Sequence, residues 1–301
     1  MRICVCADPG ANAENPSVHA RHHNLAGLHS HSRTLIAMLA LSLTPVTLLN
    51  AAPVIYSVAG ATPASIQVSV DQFRTDLGGI NNAGGAPAAD GRREINWDGG
   101  GDGIAAPNFM KADQFRARGS LFTAPASLVL TDTNNFIISA NPATTTTPAR
   151  YGDIDPSYTS TFQTFSGARL FAVRESNVIG IQFFVPASAT PASVSGFGVV
   201  FTDVDLAGVT LLKAYGIDGR LLLNAQPVAV ANGGLSFLGV RFDDPGQRIA
   251  RVEIVLGNAT MHAGTVDGTY NASGLVDVVA MDDFIYGEPR SIDVLLTAGF
   301  Q

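Results

Sequence analysis

From Arg169 onward the chain is a succession of short runs of β-branched and aromatic residues, each closed within a few positions by glycine, proline, asparagine or aspartate. The runs are Arg169–Val173, Val178–Val185, Gly196–Phe201, Leu211–Tyr215, Arg220–Leu223, Leu235–Phe242, Ile249–Leu256 and Val276–Tyr286. Gly216-Ile-Asp-Gly219 stands between two of them as a hairpin signal. No helical periodicity intervenes, so parallel pairing through crossover helices is excluded and antiparallel sheets are expected. Further candidates, Gly119–Thr123, Leu128–Thr131 and Phe136–Ser139, extend the pattern upstream. The one expected helix is short. Ser69 and Gln72 have capping-box spacing, Val70, Phe73 and Leu77 share a face, and Gly78 can end it. Gly78 to Ala89 and the Thr/Pro stretch from Asn141 to Pro148 read as long loops. The fold class is therefore all-β, an antiparallel sandwich with one short N-terminal helix.

Several functions are excluded by composition. Hydrophobic residues make up 46% of the 301 and charged residues 14%, which opposes disorder. Lys111 and Lys213 are the only lysines, the formal charge is −7 and no basic cluster occurs, so nucleic acid is not an expected partner. Cys4 and Cys6 are too close together for an unstrained disulfide and too few for a zinc site, which leaves the body to its hydrophobic core.

Arg33 precedes the apolar stretch Thr34–Leu49. The stretch has secretory h-region length and is interrupted by Pro45, so a Sec-type signal peptide and an extracellular destination are expected. Asn50-Ala51-Ala52 offers one cleavage site and Ala59-Gly60-Ala61 a closer match to the small-x-small rule. The expected organisation is a leader over 1–61, the N-terminal part of the sandwich over 62–160, the main sandwich over 161–289 and a tail over 290–301. Five of six histidines fall in the leader, leaving His262 in a loop. There is neither a Gly-x-Ser-x-Gly elbow nor a His-Glu-x-x-His helix, and no catalytic residue is assigned.

The last apolar run, Val276 to Gly287, holds adjacent acids, Asp282 and Asp283. Strict alternation would send them to opposite faces, and either phase leaves one of them among apolar neighbours, where it needs a cation or donors. Asp203 and Asp205, two apart at a strand end, could face one way and offer oxygens to calcium. Asp98 and Asp102, in Trp97-Asp-Gly-Gly-Gly-Asp-Gly103, form a second, sparser candidate loop without an EF-hand register. The competing reading pairs these acids with loop amides or with Arg169, Arg248 or Arg251. Trp97 is expected in the core rather than on a sugar.

Gly196-Phe-Gly-Val-Val-Phe-Thr-Asp-Val-Asp205, Leu235-Ser-Phe-Leu-Gly-Val240, Ile249-Ala-Arg-Val252 and Val279-Ala-Met-Asp-Asp-Phe-Ile-Tyr-Gly-Glu-Pro289 resemble a recurrent module of uncharacterised secreted bacterial β-sandwich proteins, some of which carry a PEP-CTERM sorting tail. Gly91-Arg-Arg-Glu-Ile-Asn-Trp-Asp98 and Thr164–Phe171 fit the same group. The resemblance covers most of 65–289. It implies a jelly-roll-like sandwich and an extracellular setting, with Asp282 or Asp283 as a further calcium ligand. It names no activity. Glu288-Pro289 is followed by neither a membrane-length segment nor a basic end, so release rather than anchoring is expected. Asn258 and Asn271 lie in glycosylation sequons, which matter only in a eukaryotic host. The function expected is a non-enzymatic module that binds extracellular polysaccharide or matrix. Alternatives are a purely structural or adhesive protein and a hydrolase with two carboxylates across a cleft.

Overall fold

Strands form in the expected runs, and the computed structural model, which describes residues 51–124 and 135–292, adds an early strand before the helix. In chain order the first elements are β1 (Val54–Gly60), α1 (Pro63–Asp76), β2 (Arg92–Ile95), β3 (Ser120–Thr123), β4 (Phe136–Ile138) and the single turn α2 (Tyr158–Thr161). Then come β5 (Phe171–Val173), β6 (Val178–Phe183), β7 (Ala192–Ser193), β8 (Gly196–Val204), β9 (Leu211–Tyr215) and β10 (Leu221–Pro227). The last are β11 (Ala231–Arg241), β12 (Arg251–Val255), β13 (Tyr270–Asn271), β14 (Gly274–Leu275), β15 (Ala280–Gly287) and β16 (Arg290–Ser291). The expected leader up to residue 50, the candidate strand Leu128–Thr131 and the tail beyond residue 292 lie outside the described residues.

Two antiparallel sheets carry the fold. The larger has the order β1-β11-β8-β15-β5-β4, with β2 sharing the second edge of β15; the smaller runs β10-β9-β12-β6-β3. They close on one apolar core, in which Phe197, Val199 and Phe201 of β8 and Phe284 and Tyr286 of β15 meet Ile181, Phe183, Val252 and Ile254 of the other sheet. Residues 62–160 are not a separate layer, because β2 and β4 belong to the larger sheet and β3 to the smaller. Trp97 is fully buried in this core, stacked on Phe171 with centroids 4.1 Å apart.

A third layer explains why every residue of β8 and β15 is buried. The helix α1 lays Ile66, Val70 and Phe73, with Leu77 at its C-terminal cap, against Val200, Phe237 and Ile285 on the outer face of the larger sheet. It starts at Pro63, earlier than the capping signal at Ser69 suggested, because proline at the first helical position supplies the right φ without an orphaned donor. Gly198 and Gly239 are cross-strand partners, and a Cβ on either would come within 3.0 Å of the Phe73 ring. Their missing side chains form the seat for Phe73. Beside the helix, Tyr158, Phe162 and Leu170 cover Ala280 on the same outer face.

β1 bears on the leader boundary. Its seven residues pair in register with the C-terminal part of β11, from Val54 opposite Arg241 to Gly60 opposite Leu235. Cleavage after Ala61 would remove this edge strand, whereas cleavage after Ala52 would keep it. The expected 1–61 boundary therefore overlaps the folded body.

Candidate metal centre

Both central strands shift phase where their aspartates lie. On β8, Phe201 and Val204 both enter the inter-sheet core although they are three apart. Asp203 between them adopts φ +66°, a left-handed conformation that aspartate tolerates better than most residues. On β15, Met281 pairs with Phe201 and Phe284 with Val199, so β15 carries one extra residue. This is a β-bulge, and it corrects the expectation that Asp282 and Asp283 part to opposite faces. Neither enters the sandwich core.

Asp282 and Asp283 instead tie β15 to the layer above it. Asp282 Oδ2 accepts from the backbone N–H groups of Phe165 at 2.6 Å and Ser166 at 3.2 Å. The Asp283 carboxylate accepts from the Ser166 hydroxyl and pairs with Arg74 of α1 at 3.0 Å. The Asp282 carbonyl at the bulge takes the Trp97 indole N–H at 2.9 Å. Burial and the neighbouring Asp283 charge hold Asp282 well above the usual carboxylate range. Burial also raises Asp283, against the opposing pull of Ser166 and Arg74. These two acids have direct protein partners and serve as struts, although Asp282 Oδ1 is itself buried with no hydrogen-bond partner.

Asp98 and Asp102 are likewise engaged. They open consecutive 3-10 turns, Asp98–Gly100 and Asp102–Ile104. Asp98 accepts from Ala168 N–H at 3.1 Å, and Asp102 is ion-paired with the buried Arg169 and accepts from the Thr144 hydroxyl. A carboxylate neutralised by arginine is a poor calcium ligand, so this loop reads as a brace between segments.

Asp98 Oδ2 is, like Asp282 Oδ1, buried without a partner, but the Asp203 site differs in gathering several such oxygens from neighbouring carboxylates. One carboxylate oxygen from each of Asp203, Asp205 and Asp267 lies within 4.8 Å of the others. Asp203 is 2% exposed; its Oδ1 accepts from Gly233 N–H at 2.6 Å, while Oδ2 is buried with no hydrogen-bond partner. Both Asp205 oxygens are buried and unpartnered too. Asp267 accepts from Val278 N–H at 2.7 Å. Asp277, fully buried beside them, accepts from Leu206 N–H at 3.0 Å through Oδ2 and leaves Oδ1 unpartnered. Burial, followed by the charge of Asp267, pushes Asp203 up to about 9, and burial pushes Asp277 up to about 6. Asp205 and Asp267 are raised by burial as well.

This donor set suits a hard cation. All the side-chain donors are oxygens, and buried like charges without a counter-charge are costly. Oxygens bound to one calcium at roughly 2.3–2.6 Å cannot lie further apart than twice that distance, a limit met by the 4.8 Å spread. The expected pair, Asp203 and Asp205, is therefore joined by Asp267 and neighboured by Asp277, in place of Asp282 or Asp283. Asp277 was visible as an acid within the apolar run Val276–Val279. Asp267 follows it to the site only through the fold, since its loop carries no motif.

Two other expectations meet the geometry here. Glu94 and Asp283 line one cleft of about 280 Å³. Both bind the same Arg74 nitrogen, at 2.9 and 3.0 Å. His262 is half exposed and stands 3.8 Å from Glu175. No helix among the described residues is long and apolar enough to cross a membrane. No protein-family model matches the chain, and no curated protein matches it significantly.

Proposed function

We propose that this chain is an exported, non-enzymatic β-sandwich protein that holds calcium through Asp203, Asp205 and Asp267 and engages extracellular polysaccharide or matrix. The observation that carries the reading is the group of buried, unpartnered carboxylate oxygens around Asp203. A cation would offset their repulsion and supply the missing partner. Export is supported by the basic-then-apolar pattern of Arg33 to Leu49, and the extracellular partner by the resemblance of the strand motifs. Arg74 bridges Glu94 and Asp283, which disfavours a hydrolase, because a bridged pair leaves no free proton donor.

The purely structural alternative draws on the exposed face of the smaller sheet. There Lys213 pairs with Glu253 at 2.8 Å, and the Arg251 guanidinium covers Tyr215 at 3.6 Å from the ring centroid. That face offers no bare aromatic platform for a sugar.

Calorimetric titration of chelator-treated protein with calcium chloride tests the calcium reading. One ion per chain and a melting temperature raised by about 5 °C are expected, the shift following from roughly 2 kcal/mol of linkage. An absence of both heat and shift at millimolar calcium would discard the centre.

A further inference from the structure

The smaller strands at the edge of the sandwich create a second polar site. β16 pairs with β7 so that Arg290 stands opposite Ser193. Ser193 is itself the anchor of Arg248, accepting from its Nε through Oγ at 3.2 Å and from its terminal nitrogen through the carbonyl at 2.8 Å. The Glu288 carbonyl takes the same terminal nitrogen at 3.4 Å. Arg248 thus spends its bonds on neutral oxygens and has no carboxylate partner among the described residues. Burial, with the Arg290 charge beside it, pulls it down to about 10. Both arginines line one cleft of about 330 Å³.

The acids around this cleft do not neutralise the two arginines. Glu288 is taken up by the buried Arg93 in two bonds of 2.8 Å, and Asp243 by Arg241. Asp76 accepts from Tyr56 at 2.7 Å and from Gln72. Asp90 and Asp244 also line the cleft, and neither has an ion-pair partner among the described residues. The cleft therefore presents two arginines without a counter-ion near two carboxylates without a cation. An inorganic polyanion, which has no hydroxyls to donate, would meet only repulsion from the aspartates. A sugar acid would not, since its carboxylate suits the arginines and its hydroxyls can donate to Asp90 and Asp244.

We propose that this cleft binds a uronic acid residue of an acidic polysaccharide, with Arg248 and Arg290 receiving the carboxylate and Asp90 and Asp244 the hydroxyls. The assignment rests on the carbohydrate part of the function proposed above and is independent of the calcium centre. The volume matches the lower end of small-ligand sites, enough for about one sugar residue.

The test is titration of the full chain with galacturonate, galactose and sodium acetate, then with an oligogalacturonate, repeated on Arg248→Gln and Arg290→Gln. Expected are binding of galacturonate at least about tenfold tighter than of galactose or acetate, tighter binding still of the oligomer, and about tenfold weakening in each variant. Arg290 is exposed, so Arg290→Gln carries the test if Arg248→Gln does not fold. Galacturonate binding no better than galactose, or unchanged in a folded variant, overturns the proposal. Acetate binding as tightly as galacturonate also overturns it, by reducing the cleft to a bare anion site. A neutral glycan that binds with no effect of either substitution would remove the cleft while leaving polysaccharide recognition intact.

Discussion

Asp203 combines a left-handed backbone, a hydrogen bond from Gly233 and a buried, unpartnered oxygen. Asparagine tolerates the same backbone conformation and can accept the same hydrogen bond, but carries no charge. The substitution Asp203→Asn should therefore act in opposite directions with and without calcium. In chelator at pH 8 it removes a carboxylate whose ionisation is opposed by burial and Asp267. The melting temperature should then rise by about 5 °C, equivalent to roughly 2 kcal/mol. In calcium the stabilising shift seen for the unaltered chain should fall to less than half. A substitution that lowers the melting temperature equally in both conditions would mean that the Asp203 charge has no cation to meet. Asp282 contrasts with it at this scale. It is buried as deeply and also leaves one oxygen unpartnered, yet two backbone donors hold its other oxygen, and it does not share the three-carboxylate group that surrounds Asp203.

At the level of elements, the two phase shifts do the organising. Each moves a strand's aspartates out of the inter-sheet core while Phe201 and Val204, or Met281 and Phe284, keep their places in it. The outer layer then covers what the shifts turn outward, through α1 and the segment that carries Tyr158 and Phe162. β1 secures that layer from the other side, since Tyr56 packs edge-on against Phe73 at 5.0 Å and donates to Asp76. A chain beginning at Thr62 loses these contacts and exposes the edge of β11. Compared with a chain beginning at Pro53, it should melt about 10 °C lower, from a loss of about 3 kcal/mol, or fail to stay soluble. Equal melting temperatures for the two would show that β1 is dispensable.

The whole molecule should respond to pH in a way that calcium reverses. Asp203, Asp205, Asp267 and Asp277 all have raised values in the folded chain. The folded state therefore holds protons that the unfolded chain has already released, and stability falls as pH rises. For Asp277 the loss runs from the ordinary carboxylate range up to about 6, and for Asp203 on to about 9. Asp282 adds a loss of the same sign that calcium at the other site does not touch. Thermal melts from pH 5 to 9 in chelator should decline steadily, and saturating calcium should remove most of the decline above pH 6. A calcium-free profile that is flat or rising over this range would contradict the electrostatics of the centre.

The sequence alone determined the layer type, because short β-rich runs closed by turn residues can bury their apolar faces only by stacking sheets. It also located the core tryptophan and the Asp203–Asp205 pair, since an i, i+2 pair of acids at a strand end is a local pattern. It did not reveal β1, because Val54–Gly60 follows closely on the apolar stretch Thr34–Leu49 and reads as its continuation. Nor did it reveal the bulges, which break the strict alternation on which the reading of Asp282 and Asp283 depended. The gathering of Asp267 and Asp277 around Asp203, and of Arg290 beside Arg248, was decided only by tertiary structure. Those partners are brought together by strand pairing and loop closure across long separations, and nothing in the local residue pattern records which distant charges a fold leaves without a partner.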